Sequence, residues 1–155
     1  MIRIEGKHVN ILKATLSDLD DVVVLFNNYR IFYGQSSDLE GAISFIKERM
    51  ELNESTIFLA KSNDGLPAGF VQLYPIFTSV GMKRKWLLND LFVAEEYRRH
   101  GVGKALMNQA KEFAMQTDAA GILLETSKDN VKAQALYESV GYKKEDTVYF
   151  YNLSL

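Results

Sequence analysis

The 155-residue chain contains no cysteine, which removes a disulfide framework, a thiol nucleophile and any cysteine-based metal site. Its two histidines, His8 and His100, stand far apart in sequence, so no metal centre is expected. No apolar run approaches the length of a membrane span or a signal-peptide core, and the opening Met-Ile-Arg-Ile-Glu-Gly-Lys is mixed and short. A soluble, cytoplasmic protein with no membrane partner is the expectation. The net charge is −2 and the pI is near 5.7, which argues against a protein that coats nucleic acid, because counterion release needs a basic face. There are no internal repeats and no low-complexity linkers. The length suits one domain over residues 1–155, enough to bury about 70% of the surface of the unfolded chain.

What the chain does have is concentrated between Leu88 and Gly103, where an apolar strand empties into a basic, glycine-containing turn and then a helix. A helix start leaves backbone N–H groups unpaired, and the positive end of its macrodipole favours an anion there by about 0.3 to 2 kcal/mol. Arg98, Arg99 and Lys104 bring formal charge to the same place, and Gly101 and Gly103 allow a sharp turn and close approach of the main chain to a ligand. The pattern is a phosphate cradle. It is not a P-loop, because Arg98 stands where the first glycine is required and Ala105 where the hydroxyl is required. Nor is it a dinucleotide fingerprint, since Leu106 occupies the third glycine position.

Arg-x-x-Gly-x-Gly at Arg98 to Gly103, preceded by Leu91-Phe92-Val93 and followed by a helix, closely resembles motif A of the GNAT superfamily of acyl-CoA-dependent N-acetyltransferases. Downstream, Asn130-x-x-Ala133-x-x-Leu136-Tyr137-x-x-x-Gly141-Tyr142 resembles that family's second segment, about one helix and one strand away. The similarity runs from about Ala68 to the C-terminus, with a looser match before it.

Periodicity supplies the scaffold. Val9 to Lys13 reads as a strand, Ser17-Asp18-Leu19-Asp20 as the start of a helix that frays near Tyr29 to Gly34, and Leu39 to Leu52 as a second helix capped by Ser37 or Asp38. Thr56 to Lys61 and Ala68 to Tyr74 form a predicted hairpin around Asp64-Gly65, and Trp86 to Val93 a central strand. The helix after the cradle carries Val102, Ala105, Leu106, Ala110, Phe113 and Ala114 on one stripe. Gly121 to Thr126 reads as a strand, Asn130 to Val140 as a short helix closed by Gly141, and Val148 to Leu153 as a last strand. This order is α+β, and it is the order expected of the GNAT fold. The resemblance implies a mixed central sheet of six or seven strands flanked by about four helices and splayed between the fourth and fifth strands, here Trp86 to Val93 and Gly121 to Thr126.

The resemblance also implies transfer of an acetyl group from acetyl-CoA, the cosubstrate, to a primary amine. Backbone amides from Arg99, His100, Gly101, Val102, Gly103 and Lys104 would hold the pyrophosphate, beside Arg98, while Leu91, Phe92 and Val93 would line the pantetheine arm, Leu91 and Val93 pairing with it as an added strand. Asn130 would hydrogen-bond the pantetheine, and Tyr137 would stand near the thioester sulfur as general acid. Several of these residues carry a second reading. Arg98 and Arg99 are equally consistent with a solvated pair, Asn130 with a helix N-cap, and His100 with an exposed turn residue.

Chemistry limits these roles. A tyrosine near pKa 10 cannot fully protonate a thiolate near 8.5 without climbing about 2 kcal/mol, so hydrogen-bond stabilisation by Tyr137 is the safer claim. An alkylammonium near pKa 10.4 is neutral about once in 2,500 at pH 7, equivalent to roughly 4.6 kcal/mol, and only the neutral form attacks. Asp90 and Glu125, both on predicted central strands, are candidate bases. Leu88-Asn89-Asp90-Leu91-Phe92-Val93 resembles a segment of diamine acetyltransferases, but Asn89 occupies the position of their glutamate, leaving the base open. Tyr29, Phe32 and Tyr33, with Tyr74, Phe77 and Asp90, form a candidate aromatic and acidic wall for an organic cation, although core packing would explain the same cluster. The acceptor expected from this is a small amine, with a polyamine among the candidates. A peptide amine and a non-catalytic acyl-CoA-binding module are the alternatives, and a homodimer is implied by the resemblance alone.

Overall fold

The computed structural model describes residues 2–4 and 7–155. Residues up to Glu125 form one unit and residues from Thr126 onward a second. In the first, β1 (Ile2–Ile4), β2 (Lys7–Lys13), β3 (Thr56–Ser62), β4 (Pro67–Thr78), β5 (Lys83–Val93) and β6 (Ile122–Leu123) make a six-stranded sheet in sequence order. All neighbours are antiparallel except β5 and β6, which run parallel.

Between β2 and β3 the chain builds α1 (Leu19–Phe32) and α2 (Leu39–Glu51). The α1 helix starts where the sequence suggests, with Asp18 at its cap position, and is entered through a short turn. Thr15 N–H donates to the Asp18 carboxylate at 3.0 Å, and a 3-10 turn at Leu16–Asp18 leads into the helix. At α2 the Asp38 carboxylate accepts from Gly41 N–H at 2.9 Å, the expected cap. The α1 helix ends at Phe32, within the stretch from Tyr29 to Gly34 where its end is expected.

These helices cover one face of the sheet. Val22, Val23, Leu25 and Phe26 of α1 and Ala42 and Ile46 of α2 pack with Ile57, Leu59, Phe70 and Phe92 in one buried cluster. At about 1.5 to 3 kcal/mol per large buried side chain, this is a principal source of stability for the unit. The other face is covered by α3 (Val102–Gln116), which buries Val102, Leu106, Met107, Ala110 and Ala114. Phe113 meets Phe58 at 5.4 Å and Trp86 at 4.9 Å between ring centroids, and Trp86 Nε1–H donates to Thr117 Oγ at 2.9 Å.

A register shift in the β4–β5 ladder determines which residues reach which face. Gln72 lies opposite Asp90, but Leu73 lies opposite Leu88, so Asn89 is an extra residue in β5. Strand parity is thereby reversed along β5. Trp86 and Leu88 share the α3 side, whereas Asp90 and Phe92 share the side of α1 and α2.

The parallel ladder is short. Only Trp86 and Leu87 pair with Ile122 and Leu123, so β6 is two residues long rather than the predicted Gly121 to Thr126. From Leu88 to Val93 no ladder to β6 continues, which is the expected splay. The second unit holds α4 (Val131–Val140), capped by Asn130 and ended by Gly141 at φ 105°. The predicted strand Val148 to Leu153 is not formed. Its alternating aromatics have strand character, but a strand requires a ladder, and Tyr149 and Tyr151 are instead 89% and 95% exposed. Among the described residues, no helix is long and apolar enough to cross a membrane.

Candidate active site

The loop between β5 and α3 presents a run of uncommitted donors. Arg98 N–H closes onto Glu95 O at 3.2 Å, and Ala105 N–H onto Gly101 O at 3.0 Å. Among the described residues, the amides from Arg99 to Lys104 have no backbone acceptor. Two residues in this stretch are left-handed, Arg99 at φ 63° and Gly101 at φ 84°. Such alternation curls successive N–H groups around a common concavity. A Cβ placed on Gly101 would meet no atom within 4 Å, so the space over the loop is open. The exposed side chains of Arg99 and Lys104 add positive charge. His100 is half-buried rather than the exposed turn residue expected.

Arg98 is turned another way. Its Nε donates to Val93 O at 2.9 Å, and its guanidinium lies over Phe92 at 5.6 Å and Phe32 at 5.5 Å. The side chain therefore fastens the loop to the end of β5. Ala94 N–H reaches Ala68 O at 2.9 Å, on the β4 side. Strand alternation then directs the backbone groups of Leu91 and Val93 to the opposite edge, where the ladder has ended. Gly69, which the sequence reading passed over, sits opposite Val93, and a Cβ there would come within 2.7 Å of Phe92 O. Only glycine permits this close approach beside the strand end.

On the face covered by α1 and α2 lies a buried polar cluster. Asp90 is 2% exposed and accepts from Gln72 Nε2 and, at 3.0 Å, from Asn89 Nδ2. Burial pushes the Asp90 carboxyl above its ordinary range, while hydrogen bonds from Gln72, Asn89 and Tyr29 partly oppose the rise. The half-buried Tyr29 also reaches Asn89 O at 3.4 Å. Burial and the nearby Asp90 charge raise the Tyr29 phenol strongly, and the same two causes bring Tyr74 to about 12. Both stay neutral across the physiological range.

The structure thus brings Asp90 together with Tyr29, Tyr33 and Tyr74. Tyr33 packs on Tyr29 at 4.9 Å, and Phe32 bridges from Tyr33 at 5.3 Å to Phe92 at 6.4 Å. Phe77 is not part of this group. Three residues beyond Tyr74, it falls on the opposite sheet face, 71% exposed and stacked by Arg84 at 5.2 Å. Glu125 lies beyond the end of β6 and is exposed, so it is not a central-strand residue. Gln72 was missed altogether. Its only signal in the sequence was a polar residue inside an otherwise apolar strand.

In the second unit Asn130 fills its capping role, Oδ1 accepting from Ala133 N–H at 3.3 Å. Tyr137 is half-buried on α4, and its ring lies 6.3 Å from that of Tyr142. Burial, with a smaller contribution from Tyr137, raises the Tyr142 phenol to about 12.

A left-handed amide loop thus stands at the start of a helix and at the end of a strand whose ladder has opened. The model of the Acetyltransferase (GNAT) family matches residues 22–142, and the chain belongs to that family. It is an acetyltransferase. It is 46% identical over 147 residues to the uncharacterized N-acetyltransferase YhfO of Bacillus subtilis, covering 95% of this chain and 98% of that one. The crystal structure of a "probable acetyltransferase" superposes with a TM-score of 0.90 at 41% identity, over 94% of this chain and 97% of the other. A more distant likeness in fold is the aminoglycoside N-acetyltransferase AAC(6')-Iy in complex with CoA, with a TM-score of 0.78, 19% identity and coverage of 97% and 98%. Acetyltransferases of this family use acetyl-CoA.

Proposed function

We propose that the protein transfers the acetyl group of acetyl-CoA to a primary amine of a small molecule by direct attack in a ternary complex. The observation that carries this reading is the run of amides from Arg99 to Lys104 without backbone acceptors, under open space at Gly101. A diphosphate supplies the acceptors that those donors lack. In this reading Leu91 and Val93 offer backbone groups to the pantetheine arm. The side-chain amide nitrogen of Asn130 is the group suited to donate to a pantetheine carbonyl, since its oxygen is committed to the cap.

The acceptor amine approaches along Tyr29, Phe32, Tyr33 and Tyr74, whose ring faces attract a cation. Asp90 takes the first ammonium proton through the Tyr29 hydroxyl, which is among the groups acting on its carboxyl and which donates to the neighbouring Asn89 carbonyl at 3.4 Å. The freed nitrogen lone pair forms the C–N bond, the C–S bond breaks, and the thiolate departs with a hydrogen bond from Tyr137. The nitrogen's second proton ends on the sulfur of CoA, and Asp90 returns the first to solvent.

A panel of free amines and peptides in a thiol-release assay tests the acceptor class. Small primary amines should release CoA. Consumption of peptides alone would overturn the small-molecule reading. Calorimetry of Gly103→Glu should show no acetyl-CoA binding, and an unchanged dissociation constant would refute the amide cradle.

A further inference from the structure

Gln72 and Asp90 face each other across β4 and β5, at 0% and 2% exposure. Gln72 Nε2 donates to Asp90 Oδ2, yet among the described residues the buried Gln72 Oε1 has no hydrogen-bond partner. An orphaned buried acceptor is costly, and an amide that merely filled space could be replaced by a hydrocarbon of the same shape. The groups acting on Asp90 come from each neighbouring element: Tyr29 from α1, Gln72 from β4 and Asn89 from β5, while Asp90 and Gln72 both act on Tyr74. Tyr33 and Arg49 act on Tyr29 and Tyr74 in turn. None of the groups acting directly on Asp90 is a cation. A lysine or arginine in place of Gln72 would pin Asp90 in its charged form and repel an incoming ammonium.

A primary amide does neither, and it has a second capacity. When Asp90 is ionised, the amide nitrogen donates to it. When Asp90 carries a proton, the amide turned over presents Oε1 as the acceptor for the carboxylic O–H. We propose that Gln72 is a positioning residue for acetyl transfer, holding Asp90 in place through both halves of its proton cycle by exchanging the donor and acceptor ends of one buried amide. This inference rests on the reading of Asp90 as the proton acceptor for the amine. The proton moves from the ammonium nitrogen through Tyr29 to Asp90, neutralises the carboxylate, and leaves to solvent by the same hydroxyl.

The test is the pH profile of kcat/KM for Gln72→Met with one fixed amine acceptor, so that ionisation of the acceptor is common to variant and wild type. Loss of the amide donor removes a hydrogen bond that favours the carboxylate. The acid limb should therefore move upward by about one to two pH units, with turnover recovering toward wild type at high pH. A merely structural role would lower the rate equally at every pH, and a profile that superimposes on wild type after scaling would overturn the proposal. If Gln72→Met does not fold, Gln72→Asn, whose amide is withdrawn by one methylene, is judged by the same limb. Asp90→Asn separates the two levels of the argument. If that variant keeps both the rate and the acid limb of wild type, the assignment of Asp90 as base fails, whatever Gln72 does.

Discussion

Replacing Gly101 by alanine isolates the backbone geometry of the cradle. Gly101 holds φ 84°, and an added Cβ meets nothing within 4 Å, so the substitution introduces conformational strain without collision. An L-residue held in this region costs about 1 to 2 kcal/mol. That cost must appear in one of two places. If the free loop stays left-handed, the fold carries it, and the melting temperature falls by about 2 to 8 °C for a chain of this size, with acetyl-CoA affinity unchanged. If the free loop relaxes, binding must restore the left-handed turn, and the dissociation constant rises by about 5- to 30-fold with little change in melting. Calorimetric titration with acetyl-CoA and thermal denaturation of the same samples measure both parts. Gly65→Ala is the control, because Gly65 has φ 80° and equally open surroundings but sits in the β3–β4 turn. It should lower the melting temperature and leave affinity alone. Loss of less than about 0.5 kcal/mol from stability and affinity combined in Gly101→Ala would refute the requirement for a left-handed turn.

Two further outcomes follow from the other named groups. Tyr137→Phe should lower kcat while leaving acetyl-CoA affinity nearly unchanged, and equal turnover in a steady-state thiol-release assay would remove the thiolate-stabilising role. Asp90 has its carboxyl raised above the ordinary 3.8 by burial, so between that value and its folded one the native state binds more protons than the unfolded state. Stability then declines as pH rises through this window. Asp90→Asn should accordingly raise the melting temperature more at pH 8 than at pH 4, and an equal change at both would contradict that linkage.

The helices and the left-handed glycine turn before α3 were legible because their signals are local. The Asp38 cap, the apolar stripe of α3 and the paired glycines each act within one or two turns of chain. Features that depend on a neighbouring strand were not legible. The bulge at Asn89 exists only in the pairing of β5 with β4, and it alone brings Asp90 to the α1 side opposite Gln72. Simple distance along β4 made Phe77 look like a companion of Tyr74, whereas sheet alternation separates them. For Arg98 charge alone left a phosphate contact and a solvated pair equally open, and the bond from its Nε to the nearby carbonyl of Val93 was not foreseen. The strand expected at Val148 to Leu153 failed for the related reason that propensity does not supply a partner.

Excision of Asn89, the extra residue in β5, would leave Leu88 and Asp90 adjacent and still opposite Leu73 and Gln72, so the ladder would close into ordinary alternation with every side chain on its present face. What would go is local: the Asn89 side-chain amide that donates to Asp90 at 3.0 Å and the Asn89 carbonyl that Tyr29 reaches at 3.4 Å. Asn89→Ala and a one-residue shortening therefore share the loss of that donor, and only the shortening also removes the carbonyl. The extra residue thus serves the carboxylate beside it and not the pairing of the two strands.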